Sequence, residues 1–95
     1  MPVIGVLTLE IRLDTAHSLK DKRHVIQGLK ERLRHKFNVA VAEIDCQDLW
    51  QRGVVAAVTV SGDHVYAAGV LQSVEKEAAT LLGAQLVGAT VEWLE

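Results

Sequence analysis

The chain carries a single cysteine, Cys46. That excludes an internal disulfide and any CxxC metal or redox site. No apolar run approaches the ~20 residues that a membrane-spanning helix needs. No basic stretch precedes an apolar block at the N-terminus, so no signal peptide is expected. The glycines are scattered, without the spacing of a phosphate-cradling loop. These absences predict a reducing, cytoplasmic setting with no membrane partner. The 95 residues, 49% hydrophobic and 23% charged, are expected to form one domain over 1–95 with a modest core.

What is present centres on residues 17–37. Ser18 followed by Asp21 has capping-box spacing: the Ser18 hydroxyl accepts from the Asp21 amide and the carboxylate reaches back. Leu19, Ile26, Leu29 and Leu33 then recur at helical spacing, with Val25 on their border. Arg34, His35 and Lys36 suit the negative end of the dipole, and Asn38 is a stop signal. A helix is predicted over 18–36.

Its charge is one-sided. At about 100° per residue, Lys20, Arg23, Gln27, Lys30 and Arg34 share an arc of roughly 80° beside the apolar stripe. Residues 17–36 hold seven cations, Lys20, Lys22, Arg23, Lys30, Arg32, Arg34 and Lys36, against Asp21 and Glu31, a net +5. Elsewhere three cations face ten acids, a net −7, and the two halves give the chain's −2.

Residues 2–13 alternate. Val3, Gly5, Leu7, Leu9, Ile11 and Leu13 point one way, and Ile4, Val6, Thr8, Glu10 and Arg12 the other, which reads as a strand buried on one face. Asn38–Cys46 reads as a second strand with an acidic end. Gly53–Ser61 is dense in β-branched residues and suits a central strand. Ser61 or Asp63 caps a second helix over 64–82, built on Val70, Leu71, Val74, Ala78, Leu81 and Leu82 and stopped by Gly83. Gln85–Leu94 is the last strand, with Val87, Ala89, Val91 and Trp93 on one face. The order β-α-β-β-α-β specifies an α+β, ferredoxin-like sandwich: a four-stranded antiparallel sheet with two helices on one face. The first and third strands are central, and the other sheet face is open.

RNA-recognition motifs stack bases on aromatics of those central strands. Here the first strand has none and the third offers only Val, Ala and Thr, so that mode is excluded. The apolar residues left on the open face suit protein contact, a second copy included. A metallochaperone lacks its cysteine pair. An acylphosphatase would need a Gly-rich, Arg-containing loop where Asp14-Thr15-Ala16-His17 stands. Glu43, Asp45, Cys46 and Asp48 are ligand types, yet strand alternation turns Cys46 away from Asp45, so a solvated strand end is expected rather than a metal. Glu31 and His35 are i,i+4 neighbours set for surface pairing. Trp50, beside Asp48, Gln51 and Arg52, has two readings: a partner anchor or a cap folded over the core.

Ser18-Leu19-Lys20-Asp21-Lys22-Arg23, the run from Leu33-Arg34 through Phe37-Asn38-Val39-Ala40-Val41-Ala42-Glu43, and Asp45 with Gln47-Asp48-Leu49-Trp50-Gln51-Arg52 closely resemble the YlxP-like family of small bacterial proteins, a domain of unknown function. The resemblance spans nearly the whole chain and is most specific from Ser18 to Arg52. It implies the same ferredoxin-like fold. It also implies an association with translation, since such genes tend to lie beside those for a translation initiation factor and a ribosome-binding assembly factor. It supplies no catalytic residues.

The resulting expectation is a non-enzymatic binding protein with no cofactor and no small-molecule substrate, associated with the ribosome or its RNA. Lys20, Arg23, Lys30 and Arg34 would contact phosphates, and Lys22, Arg32 and Lys36 would add field. The alternative is a structural or regulatory homodimer that binds a protein through the open sheet face and the Trp50–Arg52 connection.

Overall fold

Alternation and helical spacing become seven elements in the computed structural model, which describes residues 1–94: β1 (Val3–Arg12), α1 (Leu19–Lys36), β2 (Ala40–Asp45), β3 (Arg52–Ser61), α2 (His64–Leu82), a 3-10 turn (Gly83–Gln85) and β4 (Leu86–Leu94). Glu95, the end of the expected domain, lies outside the described residues. The sheet runs β2-β3-β1-β4 and every pairing is antiparallel, so β1 and β3 are central. This is the ferredoxin-like sandwich.

The phase of β1 sets the layers. Leu7, Leu9, Ile11 and Leu13 are buried beneath the helices. Ile26, Leu29 and Leu33 of α1 join them, as do Leu71, Val74 and Ala78 of α2 and Val55 and Ala57 of β3. Each fully buried Leu or Val contributes up to about 1.5–3 kcal/mol of transfer free energy. α1 packs over β2, while α2 packs over β1 and β3.

Both helix starts follow side-chain chemistry. Ser18 Oγ accepts from the Asp21 amide at 3.1 Å. The Asp21 carboxylate accepts from the His17 amide at 2.9 Å, one residue before the expected Ser18 amide, so the box closes over a wider loop. Between Ser61 and Asp63, it is Asp63 that caps α2, through the Val65 amide. α2 ends at Gly83, whose φ of 56° is left-handed and costs glycine little.

Two local departures from the sequence pattern carry consequences. β2 stops at Asp45, and Cys46 adopts φ 61° in the turn, held by a hydrogen bond from its own N–H to Asp45 Oδ1. Cys46 is therefore half-buried and lies past the end of the strand. In β4, Ile11 pairs with Leu86 and Glu10 with Gly88, which leaves Val87 as the extra residue of a bulge. Leu86, not Val87, packs against the core, and Val87 is exposed. Trp93 does face the helices. It occupies space left by Gly5, where an added Cβ would lie 2.6 Å from Trp93 Cζ3, and its ring sits 4.2 Å from that of His64.

Candidate nucleic-acid interface

The seven cations of α1 divide into three groups. The first is Lys22 alone. Expected on the surface as part of the field, it is buried to 2% exposure, a correction with a plain geometric cause. Lys22 stands four, seven and eleven residues before Ile26, Leu29 and Leu33, so the helix turns it straight into the apolar stripe. Its Nζ lies 2.8 Å from Glu43 Oε2 and donates to the Cys46 carbonyl. A buried ammonium survives only with such partners. Glu43 Oε2 is fully enclosed and has no other partner among the described residues. Lys22 thus ties α1 to the β2–β3 turn and carries no charge to the surface.

The second group faces α2. Arg32 Nε lies 2.9 Å and Lys36 Nζ 2.7 Å from the two oxygens of Glu77. The hydrogen bond from Lys36, with that from Arg32, holds the Glu77 carboxyl below the usual carboxylate range against the opposing effect of desolvation. Arg32 and Lys36 are still exposed, but their field is partly cancelled. No local sequence pattern marks Glu77, because its partnership depends on how the two helices lie side by side.

The third group is Lys20, Arg23, Lys30 and Arg34. None has an ion-pair partner among the described residues. Lys30 is half-buried and the other three are exposed. By helical rotation they lie on the flank opposite Arg32 and Lys36, and so turn away from α2 and out past the β2 edge. From Lys20 to Arg34 the strip is about 21 Å long. Gln27, within it, donates to Glu31 at 3.1 Å, and so occupies the acid expected to meet His35.

Trp50 does not fold over the core. It is 51% exposed in the β2–β3 connection, next to exposed Leu49, and with Asp48, Leu49, Gln51 and Arg52 it borders an open groove of about 560 Å³. Glu43, Asp45, Cys46 and Asp48 do not converge: among the described residues no group of three or more His, Cys, Asp or Glu is placed to hold a metal. Among the same residues no helix is long and apolar enough to cross a membrane.

Residues 4–91 match the family described as Protein of unknown function (DUF503). The chain belongs to the DUF503 family. Over 72 residues, this DUF503 chain is 39% identical to the uncharacterized protein YlxP of Bacillus subtilis (strain 168), across 76% of the chain and 78% of YlxP. Solved structures share its fold. The de novo designed protein Foldit4 aligns over 100% of the chain and 98% of its own, with a TM-score of 0.59 at 11% identity. A dimeric ferredoxin-like protein of unknown function from Thermobifida fusca aligns over 98% and 90%, with a TM-score of 0.58 at 11% identity. At such identities the likeness to the DUF503 chain is one of fold.

Proposed function

We propose that this protein is a non-enzymatic, cytoplasmic RNA-binding protein of the translation machinery, and that it binds through the outer flank of α1. The observation that carries the reading is the set of four cations, Lys20, Arg23, Lys30 and Arg34, which have no carboxylate partner among the described residues and share one side of a helix. Phosphate attraction needs such a row and no base-reading groups. Arg32 and Lys36 add a weaker contribution from the other flank. Lys22 has no part in it. The association with translation implied by the YlxP-like resemblance agrees with an RNA target.

The test is RNA binding by fluorescence anisotropy across salt concentrations. Wild-type affinity should fall with salt by a log–log slope near −0.7 per phosphate contact on single strands. Arg23→Glu with Arg34→Glu should flatten that slope and weaken binding alike for all sequences, with little change in folding stability. Trp50→Ala should leave RNA binding unchanged. Absence of binding at low salt, or a double reversal that binds like wild type, would make the strip a solvated face. A protein partner at the exposed Trp50 and Arg52 would then become the leading reading.

A further inference from the structure

Three hollows in the surface meet at His24 of α1. One, of about 430 Å³, opens among Leu13, Ala16, Lys20, Val25 and Gln85. A second, also of about 430 Å³, lies between α1 and the C-terminal end of α2, over Val25, Leu29, Leu81 and Leu82. Both are bordered by Val25 and Gln85 as well as His24, so they form one groove. A third, of about 450 Å³, crosses the outer side of α1 between Gly28 and the strip cations Lys20 and Arg23. It connects the groove to the strip. Each volume falls in the range of small-ligand pockets, roughly 300–1,000 Å³.

Gly28 stands where the second and third hollows join. A glycine inside a helix destabilises it relative to alanine. Packing does not require one here, because a Cβ built at Gly28 would meet nothing within 4 Å. The missing side chain leaves a passage from Lys20 and Arg23 to the apolar floor.

The walls select the occupant. The floor is Val25, Leu29, Leu82 and Leu81, the last 42% exposed. His24 is exposed and brings a flat ring, and Gln85 is half-buried and brings an amide. Neither side chain makes a hydrogen bond to another described residue. The acids at the rim are engaged: Asp21 Oδ2 accepts from the His17 amide and Glu31 accepts from Gln27. Lys20 and Arg23 have no ion-pair partner among the described residues. An apolar slot with an aromatic wall, an amide and cations at its mouth is complementary to a nucleotide, base inside and phosphate outside.

We infer that this groove takes one unstacked base of a single-stranded RNA whose phosphates lie on Lys20 and Arg23. The inference rests on the RNA reading of the α1 strip. The base passes over Gly28, stacks on His24 and covers Leu81, and its edge meets the Gln85 amide. In a duplex the bases stay stacked and paired, so only the strip contacts remain. The groove therefore makes the protein select single strands, which a row of cations alone does not do.

The test is fluorescence anisotropy at fixed low salt with two labelled strands of equal length, a single-stranded RNA and its abasic counterpart. Wild type should bind the base-bearing strand tighter by roughly fivefold or more, the effect of stacking one base on an aromatic ring. Gly28→Leu, which fills the passage, and His24→Ala should lose that preference while binding the abasic strand like wild type. His24→Phe, which keeps a flat ring, should retain it. Gly28→Leu should melt no lower than wild type, so its loss of preference does not reflect misfolding. Amide resonances of Gly28, Leu82 and Gln85 should shift with the base-bearing strand and stay in place with the abasic one. Equal binding of the two strands by wild type, or a preference that survives Gly28→Leu, overturns the groove and leaves the strip reading standing. Absence of binding to either strand overturns both.

Discussion

Lys22 Nζ and Glu43 Oε2 meet at 2.8 Å beneath the β2–β3 hairpin, the lysine buried and the carboxylate oxygen enclosed. The pair joins helix, edge strand and turn, because the same ammonium also takes the carbonyl of left-handed Cys46.

Removing one partner strands the other without water. Lys22→Met should cost about 3–5 kcal/mol in urea unfolding, while Lys22→Met with Glu43→Leu should recover most of it. A single substitution that costs under 1 kcal/mol would show that the pair is solvated.

Ser18→Ala removes the acceptor for the Asp21 amide and should cost about 1 kcal/mol. The unfolding midpoint measures it, and an unchanged midpoint would mean that water replaces the cap without loss.

Glu77 supplies a pH-dependent link between the helices. Its carboxyl titrates below its unfolded value, chiefly because Lys36 donates to it. A lowered native value means that its stabilisation is complete above the unfolded carboxylate pKa and is lost as pH falls through the native one. Glu77→Gln should therefore melt at a lower temperature than wild type at neutral pH. The two melting curves should converge in acid; a gap that persists there would assign the effect to packing.

Gly5→Ala should destabilise by about 1–3 kcal/mol, because the added methyl would meet Trp93 Cζ3 at 2.6 Å and Leu71 Cδ1 at 2.7 Å. Thermal unfolding reads the loss. Pairing it with Trp93→Leu should return part of it, since the two positions share one volume.

Much of this architecture is legible in the residues. Period two in β1 and helical spacing in α1 set the layers, and Ser18 with Asp21 marks where α1 starts. What escapes is what depends on pairing between distant elements. The bulge at Val87 reflects register against β1, which no local pattern encodes. Glu77 meets Arg32 and Lys36 only once the helices lie together. Lys22 is a different case. Its place in the Ile26, Leu29, Leu33 series puts it on the buried stripe, whereas its charge alone points to the surface. Nor does a cysteine advertise the left-handed backbone that Cys46 adopts before the exposed Trp50.

β2 is six residues long and, among the described residues, pairs with β3 alone, which leaves one row of amides and carbonyls free. Lys20, Arg23, Lys30 and Arg34 stand guard over that row. Two molecules that approach through it bring eight like charges together, so the strip also keeps strand-by-strand aggregation in check. Its charge is then a solubility device, besides the RNA contact proposed for it. A polyanion that neutralises the strip without covering the edge would remove this protection and leave β2 open to runaway growth.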